Sequence, residues 1–359
     1  VTLLYDALIP YGWTAEWEAA TLPHADNGWV PARVHAMLGD TWRMYTPSGE
    51  GPATVTGKLR HLAESPADLP AVGDWVMLTD AVGEDLRVIQ LILPRHSKLS
   101  RRAAGDRDVE QVMACNVDRA FVVCGLDGDF NVRRLERYGE ALAGANIAPV
   151  ILLTKSDLHK NPEKAVAEVT AALKTVPVHA ISVPEQDGVA IIDSYMTPGE
   201  TIVLLGSSGA GKSTLLNHLN GLAIQKTQGL RNDSRGRHTT THRALFVLPN
   251  GALVIDSPGI RELQLWGASE SGESIFPDID ALADTCRFGD CQHESEPGCA
   301  IRAGLSDGSL DAERHASWSK LQRERLYAAR MQDAALNRSE MGKWKAITKS
   351  MRGFDKGKT

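Results

Sequence analysis

No apolar run in this 359-residue chain is long enough to cross a bilayer as a helix. Runs such as Val150–Leu153 and Ile202–Leu205 span four residues, against the roughly 20 that a spanning helix needs. Basic residues are missing ahead of the first apolar ones (VTLLYDALIPYGW), so that stretch is not expected to be a signal peptide. Cysteine is scarce. There are five, three of them clustered late, and they make no disulfide framework, so a reducing cytoplasm is the expected setting. Positive charge is not in excess either. Thirty-nine Lys and Arg against 45 Asp and Glu leave a net charge of −6, which offers no global attraction to nucleic acid or membrane, so any such contact must come from local patches. What remains is globular: 43% hydrophobic and 23% charged residues, on a length that suggests two or three domains.

The stretch that organises the chain is TIVLLGSSGAGKSTLLNHLNG, residues 201 to 221. An apolar run ends at Gly206, Gly211-Lys212-Ser213 follow, and Leu215, Leu216 and Leu219 then recur at helical spacing. Strand, glycine-rich loop and helix in that order, with G-x-x-x-x-G-K-S spacing, is a phosphate-binding pattern. In Gly206-Ser207-Ser208-Gly209-Ala210-Gly211-Lys212-Ser213-Thr214, Gly209 and Gly211 let backbone N–H groups wrap an anion. The helix N-terminus adds positive potential. Lys212 reaches the β- and γ-phosphates, and the Ser213 hydroxyl can ligate Mg²⁺. A glycine-rich turn before an ordinary helix is the plain alternative.

Residues 1–28 are expected to form an N-terminal extension of three helix-compatible pieces, without a motif. Residues 29–112 look all-β: WVPARVHAML, TWRMYT, ATVTGKLR, DWVMLTD and LRVIQLIL alternate and are separated by turn signals. About five short strands in this length suggest a small OB-type barrel. Arg95, His96, Lys98, Arg101, Arg102 and Arg107 follow directly. They fit either a basic track for a phosphate backbone or a solvated linker. From 113 to 275 strands and helices alternate, which implies a parallel sheet with ligands at the strand C-terminal ends. Asn250-Gly251 marks a hairpin. Residues 223–243 are polar and aperiodic and are expected to be a mobile loop. Residues 276–335 hold a cysteine cluster and a charged helix (310–331), and 336–359 form a basic tail that either touches an anionic partner or merely solubilises the chain.

Three further motifs turn phosphate binding into guanine nucleotide binding. Thr154-Lys155-Ser156-Asp157 ends the apolar strand PVILL. A carboxylate there accepts from guanine N1–H and the 2-amino group, a donor pair that adenine lacks, and the Lys155 stem can lie over the base. Alone, this pattern also fits a helix cap at a strand end. Asp256-Ser257-Pro258-Gly259 follows ALVI. Asp256 suits Mg²⁺ through a water, and the Gly259 N–H suits the γ-phosphate. Ser182, after VHAI, is the last base-contacting candidate. In Arg235-Gly236-Arg237-His238-Thr239-Thr240-Thr241-His242 a threonine, with Thr240 favoured, is expected to complete the Mg²⁺ shell. The base reader precedes the phosphate loop, the reverse of the usual order, so the domain reads as permuted.

Cys286-x₄-Cys291-x-His293-x₅-Cys299 places three thiolates and an imidazole within fourteen residues. Zn²⁺ takes such a set in a closed, structural tetrahedral site; a disulfide or a reactive thiol is the other reading. Cys115 and Cys124 lie in apolar strands and read as core residues.

The ordered set PRHSKLSRR, TKSD, GSSGAGKST, RGRHTTTHR, DSPG and the cysteine cluster resembles the circularly permuted ribosome-assembly GTPases, the small ribosomal subunit-dependent GTPase A or YjeQ type. The resemblance runs from about residue 30 to 330. It implies an OB-fold domain, a permuted GTPase domain and an α-helical C-terminal zinc domain with the same four ligands. It also implies GTP hydrolysis to GDP, stimulated by the small (30S) subunit during late maturation, with rRNA as partner, no membrane contact and a monomeric chain. Lys212 and Ser213 are then catalytic. Ile260 follows DSPG, where many GTPases carry a water-positioning glutamine. His238 is expected to take that role, against the readings that it binds RNA phosphate or faces solvent. Rival functions are a P-loop ATPase or small-molecule kinase, and a non-enzymatic RNA-binding module gated by nucleotide.

Overall fold

The computed structural model describes residues 3–79, 86–102, 110–221, 243–256, 276–289 and 291–312, with 314–316, 318–319 and 322–323 beyond. They fall into two compact units that part between Pro277 and Asp278.

The first unit begins with a closed barrel. Strands β1 (Val30–Leu38), β2 (Thr41–Thr46) and β3 (Gly49–Val55) form a meander, and β3 then pairs in parallel with β5 (Arg87–Ile92). β4 (Trp75–Thr79) closes the ring by pairing with both β5 and β1. The order 1-2-3-5-4-1 is that of a five-stranded Greek-key OB barrel. Alternation sends Ala32, Val34, Trp42, Met44, Val76, Leu78 and Ile89 into a common core. The segment ATVTGKLR is strand only to Val55. Thr56 then accepts a hydrogen bond from the Leu59 N–H at 3.0 Å and caps a short helix, α2 (Gly57–Leu62).

Residues 3–28 pack against the barrel. Two 3₁₀ turns (Asp6–Tyr11 and Leu22–Asn27) flank α1 (Ala15–Thr21). Leu8, Trp13 and Trp17 pack against Trp75, Met77 and Leu93 of the barrel. Trp13 stands edge-on to Trp75 at 4.7 Å between ring centroids, a contact that contributes about 1 kcal/mol beyond burial. Arg33, on the outward face of β1, is buried beneath this cover. It donates to the carbonyls of Tyr11 and Asn116 and to the Thr201 hydroxyl, the last at 2.7 Å. One side chain thus joins the N-terminal segment, the barrel and the first residue of the strand before the phosphate loop. Burial lowers its pKa to about 10, so it stays charged. Gly12 (φ +86°) makes the approach possible, because a Cβ there would lie 2.6 Å from the Arg33 guanidinium.

The basic stretch after the barrel is structured as far as Arg102, and Arg107 lies outside the described residues. Arg95 is half-buried and forks onto the fully buried Asp74, with contacts of 2.8 and 2.7 Å, so it is consumed internally. Strands β6 (Lys98–Arg102) and β7 (Glu110–Cys115) pair as a separate two-stranded ribbon.

The second layer of the first unit is a mostly parallel sheet. β8 (Arg119–Gly125), β9 (Ala148–Thr154), β10 (Val178–Ala180), β11 (Thr201–Leu205) and β13 (Leu253–Asp256) run parallel in the order 10-9-8-11-13, with β12 (Ala244–Val247) antiparallel beside β13. β11 is buried at every residue, which is why it reads as an unbroken apolar run. Helices α3 (Val132–Gly144), α4 (Pro162–Ala172) and α5 (Lys212–Leu219) connect the strands. Asn131 and Asn161 cap the first two through their side chains. Leu135, Tyr138 and Leu142 are the buried face of α3. β12 also meets β1 of the barrel, Ala36 opposite Ala244.

The second unit contains α6 (Pro277–Ala283) from Asp278 onward, the cysteine cluster, α7 (Ala300–Asp307) and further helical residues from Ala312. Ile279, Ile301, Leu310 and Trp318 are buried. Trp318 donates its indole N–H to Asp280, and Arg314 pairs with Asp278 at 2.9 Å.

Candidate functional site

The phosphate loop leaves β11 at Gly206. Its φ of +137° and a virtual Cβ 2.1 Å from the Val123 carbonyl admit no side chain. Gly209 (φ +83°) faces open space; the loop keeps backbone, without a side chain, where an anion would lie. Gly211 (φ +98°) caps α5. Ala210 is buried, whereas Ser208, Ser213 and Thr214 are exposed on the ligand side. Lys212 Nζ donates to the carbonyls of Gly206 (2.7 Å) and Ser207. The ammonium is thus folded over the loop, on the path a phosphate would take.

At the end of β9, Thr154 is buried and donates its hydroxyl to the Ala210 carbonyl at 2.6 Å. One side chain therefore ties the T-K-S-D strand end to the phosphate loop. Lys155 follows in the left-handed region (φ +59°), and its ammonium pairs with Asp127. Asp157 is exposed in the turn Ser156–Leu158. Ser182, at the end of β10, is buried. It holds its loop closed by a bridge to Asp187, while the Ser156 N–H donates to the Ile181 carbonyl next to it. Asp256 ends β13 and is half-buried. Burial raises its pKa, while the nearby Lys212 ammonium pulls it the other way. The structure thus brings Thr154, Lys155, Asp157, Ser182, the loop 206–214 and Asp256 to the C-terminal ends of neighbouring parallel strands. Thr240, His238, Gly259 and Ile260 lie outside the described residues.

Two acids that sequence reading passes over stand in the same place. The loop after β8 carries Asp127, which holds Lys155, and Asp129, which accepts from the Ser207 hydroxyl and pairs with Arg134 at 2.9 Å. Their signal was present in Gly125-Leu126-Asp127-Gly128-Asp129, a polar loop at the end of a buried strand.

In the second unit the donor atoms of Cys286, Cys291, His293 and Cys299 all lie within 4.8 Å of one another. Cys286 Sγ is 3.9 Å from Cys299 Sγ, and the two sulfurs lie 3.6 and 3.5 Å from His293 Nδ1. A tetrahedron with metal–sulfur bonds of ~2.3 Å and a metal–nitrogen bond of ~2.0 Å has edges of about 3.8 and 3.5 Å. The donor set therefore fits a four-coordinate metal. His293 reaches its place through a left-handed backbone (φ +63°).

Residues 92–266 match the RsgA GTPase family model. Over 355 residues the chain is 48% identical to the small ribosomal subunit biogenesis GTPase RsgA of Opitutus terrae, covering 96% of this chain and 97% of that one. The protein of the same name from Syntrophotalea carbinolica is 42% identical, with 94% of each chain covered. The chain belongs to the RsgA GTPase family. Two solved structures share its fold: YjeQ from Thermotoga maritima (TM-score 0.59, 23% identity, 83% of this chain and 99% of that one) and YloQ, described as a circularly permuted GTPase (0.56, 24%, 83% and 95%).

As an RsgA GTPase the chain is a GTP-hydrolysing enzyme, and the order of its strand ends acquires a meaning. The base-side loops after β9 and β10 precede the phosphate loop after β11 in sequence, yet all three open on one edge of the sheet. The match covers every described residue of the candidate site, from the β8 loop to Asp256, and ends before the Cys₃His cluster.

Proposed function

We propose that this RsgA GTPase acts in late maturation of the small ribosomal subunit, that the subunit stimulates its GTP hydrolysis, and that hydrolysis paces its release. The observation that supports the guanine assignment is the Thr154–Ala210 hydrogen bond, which joins a T-K-x-D strand end to a G-x-x-x-x-G-K-S loop. Asp157 reads guanine, Ser182 borders the base, and the 206–214 loop with Lys212 cradles the phosphates. Ser213, Asp256 (through a water) and Thr240 would hold Mg²⁺, and the Gly259 N–H would sense the γ-phosphate. When bound, Mg²⁺ neutralises charge on the phosphate oxygens.

Water attacks the γ-phosphorus in line. The bond to the bridging oxygen breaks, GDP leaves, and the water proton ends on inorganic phosphate. Lys212 stabilises the charge that gathers on the leaving oxygens. Because the Ile260 side chain cannot hydrogen-bond water, intrinsic turnover is expected to be slow, and His238 is assigned to position the water in the subunit-bound state. The Cys₃His cluster is assigned to one structural Zn²⁺, which braces a unit with little core of its own. The barrel and the zinc unit are assigned to rRNA contact, by a monomeric chain in the cytoplasm.

The deciding experiment is the GTPase rate with and without added small subunits. Strong stimulation is expected, and no stimulation at saturating subunit overturns the ribosomal reading. Asp157→Asn should abolish the preference for GTP over ATP; a variant indifferent to the change would restore the ATPase rival. If His238→Ala keeps full subunit-stimulated turnover at unchanged GTP affinity, His238 does not position the water.

A further inference from the structure

The loop after β8 bears on the nucleotide site in a way that its sequence does not announce. Gly125 is the last β8 residue and lies opposite Thr154 at the end of β9. The Leu126 N–H then donates to the Thr154 carbonyl at 2.9 Å, so the loop stays docked on the base-side strand end. Lys155 follows immediately. Its left-handed backbone, uncommon for a residue with a side chain, sends that side chain back across the β8 loop to Asp127. Gly125 clears the space: a Cβ there would lie 2.6 Å from Asp127 Oδ1 and 3.6 Å from Lys155 Cδ.

We propose that Asp127 is a positioning residue for the guanine base: by anchoring the Lys155 ammonium, it holds the lysine stem extended as one wall of the base site. The inference deepens the guanine reading given above and rests on it. A lysine stem is four methylenes with a strongly hydrated charge at its tip. Left free, it samples many rotamers, and binding would have to order it. Pinned at the tip, it presents an apolar flank before nucleotide arrives. The pair is partly open to solvent, with side-chain exposures of 41% for Asp127 and 30% for Lys155. Such an ion pair contributes little to folding, so its effect should appear in binding and not in stability.

The test is a double-mutant cycle on nucleotide affinity, by calorimetry with GDP and with a non-hydrolysable GTP analogue. Asp127→Ala should weaken both nucleotides by the same several-fold factor, because the base wall is common to them. KM for GTP should rise by that factor while kcat holds, and the melting temperature should not move. Lys155→Ala should weaken binding at least as much, and adding Asp127→Ala to it should cost nothing further. Gly125→Ala, which displaces Asp127 without touching its charge, should reproduce the Asp127→Ala loss. If Asp127→Ala binds GDP as the parent does, or if the two losses add, the positioning role is wrong while the guanine reading stands. A parent chain that prefers ATP overturns both.

Discussion

The nucleotide site and the metal cluster are both made of loops, and they are held by opposite means. The nucleotide site draws on residues from Asp127 to Asp256, brought together because five parallel strands end side by side on a buried apolar sheet. The metal cluster draws on fourteen residues, from Cys286 to Cys299, fixed to one another by their own donor geometry. The first kind of site is a by-product of a large core and tolerates the loss of single polar contacts. The second has few buried neighbours to fall back on, so its ligands are its scaffold.

Removing the metal is the severest way to break that contrast. Cys299→Ser, or a strong chelator, should unfold the cluster and α7, since structural zinc contributes about 10–16 kcal/mol in small zinc domains. Limited proteolysis after residue 277 should report it, and GDP affinity, measured with Mg²⁺ restored, should survive because no described nucleotide-site residue belongs to the Cys₃His cluster. Next in size is Arg33→Ala. It strands the Thr201 hydroxyl and the carbonyls of Tyr11 and Asn116 in a buried seam and should lower the stability of the first unit by about 3 kcal/mol in urea denaturation. Thr154→Ala removes the hydroxyl that ties β9 to Ala210, together with a buried methyl group. A loss of about 1 kcal/mol in stability is expected, with weaker binding of GDP and GTP alike and recovery in Thr154→Ser.

The smallest effect is that of pH. Burial lowers the pKa of His35, His96 and His179, so the native state favours their neutral forms. Their contribution is fully present above the unfolded value near 6.5. It is lost as pH falls through that value toward the folded ones, because the unfolded chain then binds more protons. The first unit should therefore melt lower at pH 5.5 than at pH 7.5, whatever the zinc concentration. With zinc in the Cys₃His cluster, the stability of the second unit should instead move with zinc concentration.

The two regions also differ in how openly they are written. The Cys₃His cluster was legible because its four donors lie in one short stretch. The phosphate loop, the T-K-S-D end and the five-strand barrel were legible because glycine placement, buried runs and alternation are local as well. What stayed hidden was pairing across distance. Nothing near Arg33 announces a bond to Thr201, and nothing near Arg95 distinguishes a lysine-like surface charge from an internal partner of Asp74. Residues 1–28 looked like an appendage because their aromatic residues have no periodicity of their own; Trp75 supplies the surface that orders them. Asp127 and Asp129 looked like loop solvation until β9 and β11 were set beside β8.

The pairing of Ala36 with Ala244 makes the barrel a continuation of the GTPase sheet. At that side the ladder ends in β4, which turns back onto β1, so no strand is left open. Among the described residues the whole eleven-stranded sheet has one exposed border, β10. It is three residues long and begins directly after Pro177, which has no N–H to offer a neighbour. A sheet of this width is ordinarily a template for edge-to-edge aggregation. Here the OB-type barrel also serves as a stopper, and a chain from which the barrel strands β1 to β5 are removed should recruit itself along the uncovered β12.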